Sequence, residues 1–157
     1  MAGYGSSMSP LDKWITAAGR TRDSRAVPHL IRLLDQLNSR SEFSHFRAVA
    51  GALESIATPA AAAALQRVLK KPGIRGHMHL TVEEARRASG PSSSDESTRS
   101  NSLREIALAR AFLKCGDPDG FGRRILEDYR DDLRGHFSRH ARAVLDSLPP
   151  ATSPVRP

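Results

Sequence analysis

Cysteine occurs once, so the chain forms no internal disulfide and is not a secreted disulfide scaffold. Aromatic residues make up only 5% of it against 39% hydrophobic residues in all, and alanine is abundant. That balance argues against a sheet, where β-branched and aromatic side chains dominate, and for closely packed helices. No apolar run approaches the ~20 residues needed to span a bilayer. The first ten residues, MAGYGSSMSP, lack the basic and apolar regions of a signal peptide. The expectation is a cytoplasmic chain with no membrane partner. Also missing are a glycine-rich phosphate loop, a G-x-S-x-G turn and a paired-carboxylate arrangement. The chain is therefore expected to carry no catalytic residues, no cofactor and no metal of its own.

What is present is an internal repeat. Ala26-Val27-Pro28-His29-Leu30-Ile31-Arg32-Leu33-Leu34 aligns without a gap on Ala61-Ala62-Ala63-Ala64-Leu65-Gln66-Arg67-Val68-Leu69. A second helical pattern lies between them and returns around Leu103 and Phe137. Helix pairs recurring at such a period cannot bury their apolar faces alone and must stack on neighbours. The fold expected is an all-α, short α-solenoid of about three helical hairpins plus a cap; DSRAVPHLIRLL (23–34) and FRAVAGALESIATPAAAAALQRVL (46–69) resemble HEAT-like repeats.

Residues 1–8 read as a disordered leader, 9–148 as the helical-repeat domain and 149–157 as a disordered tail. Ser9-Pro10 caps a first helix whose Leu11, Trp14, Ile15 and Ala18 share one face and pack inward, with Gly19 closing it. Val27, Leu30, Ile31, Leu34 and Leu37 define the next helix, and Phe46 to Ala57 a further one. Thr58-Pro59 opens another that Pro72-Gly73 stops. Residues 71–102 form one long loop holding a short extended piece and a helical turn begun by Thr81. Its serine-rich part, 89–101, reads as disordered. Leu103 to Leu113 is apolar almost all round and reads as a central helix. Asp117-Pro118 starts the next, with Phe121, Ile125, Tyr129 and Leu133 inward, and Gly135 breaks it. A last helix carries Phe137, Ala141, Val144, Leu145 and Leu148.

The net charge is +7, and residues 1–80 hold 11 Lys/Arg against 5 Asp/Glu. A basic half invites nucleic acid as a partner. That alternative predicts one concave face lined by Arg20, Arg22, Arg25, Arg32, Arg47 and Arg67. Two polar clusters are the candidate sites. Arg134, Gly135, His136, Arg139 and His140 gather at a helix start, where free N–H groups favour anions. Gly76, His77 and His79 mark a loop contact, and the two histidines are spaced as metal ligands in extended chain. Zinc would require further ligands, and Cys115, His136 and His140 are the only nearby types. Cys115 reads as structural, and Arg110 as reaching a carboxylate such as Asp117 or the next repeat, or as snorkelling to solvent.

The strings KPGIRGH (71–77), SLREIALARAFLKCGD (102–117) and DLRGHFSRHARAVL (132–145) resemble the C-terminal helical region of bacterial FAD-dependent oxidoreductases. The resemblance covers most of residues 22–148, with 89–101 unmatched. It implies a HEAT-like module next to a flavin-binding Rossmann domain. The nearest glycine string here, Gly3-Tyr4-Gly5-Ser6-Ser7-Met8, lacks the third glycine of a dinucleotide fingerprint. The implied role is a non-catalytic scaffold that docks a protein partner, a flavoprotein domain among the candidates.

Overall fold

Asp23 and Thr58 lie 35 residues apart and begin the same local structure twice. The Asp23 carboxylate accepts from the Arg25 N–H at 2.9 Å, and the Thr58 hydroxyl accepts from the Ala60 N–H at 3.4 Å. A 3₁₀ turn follows each cap, Ser24–Ala26 and Pro59–Ala61, and each turn runs on into an α-helix. Leu30 and Leu34 in the first unit match Leu65 and Leu69 in the second, and all four are buried. The side-chain oxygens satisfy N–H groups that a helix start leaves orphaned.

The computed structural model describes residues 9–88 and 95–148. Among them the chain is all-helical, with no strand. The helices are α1 (Pro10–Thr21), α2 (Val27–Gln36), α3 (Phe43–Ile56), α4 (Ala62–Leu69), α5 (Val82–Ala88), α6 (Asp95–Lys114), α7 (Phe121–Arg130) and α8 (Gly135–Asp146). Alternate helices pack side by side: α1 on α3, α3 on α6, and α6 along α8. The intervening helices cover one flank of this row, with α2 on α3 and α4, α4 on α6, and α7 wedged against α6 and α8. Helix α6 packs on α3, α4, α7 and α8 through its C-terminal half, which buries Ile106, Leu108, Ala109, Ala111 and Phe112. None of the described helices is long and apolar enough to cross a membrane.

Four sequence expectations change. On α1 the buried residues are Asp12, Ile15 and Gly19, while Trp14 is 75% and Leu11 50% exposed. A Cβ on Gly19 would lie 2.5 Å from the Ala52 Cα, so Gly19 is the contact that lets α1 approach α3. The helix is therefore rotated away from its apolar stripe. It ends not at Gly19 but at Thr21, with Arg22 left-handed at φ 55° as the cap. Asp12, fully buried, accepts from His45 Nδ1 at 2.7 Å and completes the seam.

Residues 95–101, expected to be disordered, form the first turns of α6. Their anchor is Ser102, whose hydroxyl reaches the carbonyls of His77 at 3.0 Å and Thr98 at 3.2 Å. Residues 89–94, like the leader and the tail, lie outside the described residues. Helix α7 stops at Arg130, which leaves Leu133 in a turn and 53% exposed instead of inward. The extended piece expected in 71–80 forms no strand, because its backbone groups bond to side chains of α6 and of the α7–α8 turn.

Candidate functional site

The three strings singled out in the sequence meet at one place. Lys71 to Thr81 is a loop lying over α6, and Arg104 and Glu105 of α6 hold its first half. Glu105 is completely buried. One carboxylate oxygen accepts from Gly76 N–H at 3.1 Å; the other accepts from His77 N–H at 3.1 Å and from the Tyr129 hydroxyl at 2.8 Å. Gly76 has φ 86°, a conformation that favours glycine and presents two successive N–H groups to one carboxylate. Burial and the neighbouring Glu105 push the Tyr129 phenol far above its ordinary range, so it remains a donor.

Arg104, only 3% exposed, has no carboxylate within ion-pair distance among the described residues. Its guanidinium donates to the carbonyls of Ser39 at 3.1 Å and Gly73 at 2.8 Å and lies over the Phe46 ring at 5.2 Å. Burial lowers its pKa, opposed by the adjacent Glu105 and Tyr129. It ties two loops to α6 at once.

Asp132 and Arg134, in the turn between α7 and α8, hold the second half. The Asp132 carboxylate accepts from His79 N–H at 3.0 Å, from Arg134 N–H at 2.8 Å and from the Arg134 guanidinium at 2.7 Å. The same guanidinium donates to the His77 carbonyl at 2.8 Å and to the Ser102 hydroxyl at 3.0 Å. Leu133 N–H returns a bond to the His79 carbonyl at 2.9 Å. Burial acting alone would raise the Asp132 pKa; the bonds from Arg134 and the His79 N–H outweigh it and hold the carboxyl below its ordinary value. A buried carboxylate with this many donors is satisfied, and the loop is fixed by it. At the far end Glu84 accepts from Leu80 and Thr81 N–H while Thr81 accepts from Glu84 N–H, a capping box that starts α5.

The strapped loop forms one wall of a groove of about 580 Å³, with α5 and the start of α6 opposite. His77 lines it, with its ring bonded to the Gly73 carbonyl at 3.1 Å. His79 lines it too, with its pKa lowered first by burial and then by Arg134, which keeps the imidazole neutral near pH 7. Glu84, Arg87, Thr98 and Asn101 complete the polar lining. The groove thus offers hydrogen bonds, one guanidinium and the Glu84 carboxylate, which already accepts from the Leu80 and Thr81 N–H groups. It contains no Ser, Cys or Lys paired with a base, and among the described residues no three His, Cys, Asp or Glu side chains gather as metal ligands. Leu80, Val82 and Leu133 stand exposed along this end of the molecule.

The second expected cluster is brought together in part: Arg134 and His136 line one groove of about 310 Å³ with Thr98, Arg99 and Phe137. Arg134 precedes α8 in an extended conformation and turns inward to Asp132. His136 stays outside with its ring against Phe137, 3.9 Å between centroids. His140 points across to α6, where Arg110 donates to its Nε2 at 3.1 Å and to Glu54 of α3 at 2.8 Å. Arg110 therefore bridges three helices, and its acidic partner is Glu54, not Asp117. Cys115 is buried, its thiol pushed up to about 11 by burial; it donates to the Leu53 carbonyl at 3.6 Å.

The six arginines expected on one concave face do not form one. Arg25 and Arg67 are ion-paired with Asp23 and Asp35 on the flanking layer, where Arg32 also lies. Arg20 and Arg47 line a separate groove of about 350 Å³ between α1 and α3.

Sequence reasoning missed Arg104, Glu105, Tyr129 and Asp132 as a connected set. The detectable signal was Glu105 itself, three residues after buried Ser102 and four before buried Ala109, a charge placed on the core stripe of α6. No family model, curated protein or solved structure matches the chain.

Proposed function

We propose that this chain is a HEAT-like helical-repeat module that docks a protein partner and performs no chemistry of its own. The observation that carries the reading is the recurrence of cap, 3₁₀ turn and helix at a 35-residue offset, within helices that pack alternately in a row with a flanking layer. Such stacks present a long rigid surface, and binding is their usual use. The strapped loop supports the same reading: its buried polar network fixes the backbone from Gly73 to Thr81 and holds Leu80, Val82 and Leu133 outward. Exposed apolar side chains on a rigid frame are the signature of a docking surface.

The partner we propose is a flavoprotein domain. What supports it is that the three strings resembling FAD-dependent oxidoreductases supply the strap, Gly73, Gly76 and His77 from one, Arg104 and Glu105 from another, Asp132 and Arg134 from the third. The division of the arginines between layers weighs against a nucleic-acid surface.

A photo-crosslinking residue in place of Val82, in the cell that makes this chain, tests the reading. The expected product is one dominant protein adduct whose purified complex carries flavin absorbance. Salt-sensitive crosslinking to nucleic acid with no protein adduct would overturn it.

A further inference from the structure

Helix α1 differs from every other helix of the row. α3, α6 and α8 each rest on a row neighbour and also on a helix of the flanking layer, whereas α1 packs chiefly on α3. Asp12, Ile15 and Gly19 make that seam. At about 100° per residue, Trp14 and Ala17 then stand on the opposite side of the helix, with Leu11 beside them. All three are exposed. Trp14 is the single tryptophan of the chain. A depression of about 360 Å³, lined by Pro10, Lys13, Trp14 and Ala17, lies on this outer side.

The one charged residue of its lining is Lys13. Lys13 and Arg20 are exposed on α1, and Arg22 caps it, while the one acidic residue of the helix, Asp12, is buried and bonded to His45. The apolar strip from Pro10 to Ala18 is about 12 Å long at 1.5 Å per residue. A strip that short fits one helix, not a broad face of ~800 Å² per partner. A second copy of this chain would also set Lys13, Arg20 and Arg22 against themselves.

We propose that the outer side of α1 receives one amphipathic helix of another polypeptide, with acidic residues beside its apolar stripe, as the next layer of the stack. Its apolar side chains cover Leu11 and Trp14 and enter the depression; its carboxylates meet Lys13 and Arg20. This rests on the docking-module reading and gives it a second contact, remote from the strapped loop.

The probe is a synthetic amphipathic peptide with Leu at i, i+3, i+4 and i+7 and Glu at the flanking positions, beside a twin carrying Lys for Glu. Trp14 emission of the full chain reports binding. The expected result is solvent-exposed emission in the free protein and a saturable blue shift with the Glu peptide that salt weakens. The Lys twin should give none. Lys13→Glu should weaken the Glu peptide several-fold and admit the Lys peptide, and Leu11→Ser should weaken it with unchanged far-UV circular dichroism. No shift with the Glu peptide overturns the proposal, as do equal shifts with both peptides. So does a free protein whose emission is already blue at all concentrations, or one that turns blue with concentration as a dimer sediments. If the Val82 crosslink yields a protein while the peptide fails, the docking-module reading stands and only the α1 site falls; if Val82 crosslinks only nucleic acid, that reading falls whatever the peptide does.

Discussion

The half of the molecule from α1 to α4 and the half from the strapped loop to α8 are held together by different forces. In the first, a repeated apolar spacing buries Leu30, Leu34, Phe46, Leu53, Leu65 and Leu69, and the ion pairs Arg25–Asp23 and Arg67–Asp35 stay at the surface. In the second, four charged side chains are buried with the core, Arg104, Glu105, Asp117 and Asp132, against Asp12 alone in the first. Apolar burial is tolerant of the residue that supplies it. A buried carboxylate is not, because removing it strands its donors without water. The first half is thus generic to stacked helices, and the second specifies one loop conformation.

The sharpest way to break that contrast is Glu105→Ala, which strands two backbone N–H groups and the Tyr129 hydroxyl. A loss of about 3–5 kcal/mol is expected in urea unfolding. Proteolysis between Lys71 and Thr81 should become faster than in any variant of the first half. A loss within 1 kcal/mol would mean that the network is dispensable.

Gly19→Ala tests the closest helix contact of the first half. The new Cβ meets the Ala52 Cα at 2.5 Å, and overpacking of this kind costs about 1–3 kcal/mol. Ala52→Gly should not rescue it, since the obstructing atom is backbone. Full recovery in the double variant would show that the Ala52 methyl is the obstacle.

Asp132→Asn sharpens the comparison through pH. The folded carboxyl titrates below its ordinary 3.8, so its contribution is present above that value and is lost as pH falls through the lower folded value. The thermal midpoints of wild type and Asp132→Asn should differ at pH 6 and converge in acid; a gap that widens in acid would contradict the paired carboxylate.

The smallest effect belongs to Arg67→Ala. Arg67 and Asp35 are 57% and 41% exposed, and such pairs are worth about 0–1 kcal/mol, falling with salt. Cys115 offers a probe of global opening for the whole series. With its thiol buried and its pKa raised to about 11, its alkylation should track unfolding in each variant.

The periodicity of residues 26–69 was legible because burial there follows helix spacing, and Leu30, Leu34, Leu65 and Leu69 had only one face to take. The same logic misled at α1. Leu11, Trp14, Ile15 and Ala18 make the better apolar stripe, yet the steric fit of Gly19 to Ala52 and the Asp12–His45 bond chose another face. Gly76, His77 and His79 were legible as loop residues, but the Glu105 and Asp132 carboxylates that hold their N–H groups were not. Arg134 and His140 were grouped by proximity in sequence, and a reversal of chain direction before α8 sent one to the loop and the other to Arg110.

By itself the sequence determined that the chain is helical, where most helices begin, and which leucines of α2 and α4 face inward. Those follow from caps, spacing and propensity, which act over a few residues. Only the tertiary structure decided that Arg104, Glu105, Tyr129, Asp132 and Arg134 form one network, that 95–101 is helix and that Trp14 faces solvent. Each depends on groups 24 or more residues distant, or on a helix rotation set by a single contact, and local patterns hold no record of either.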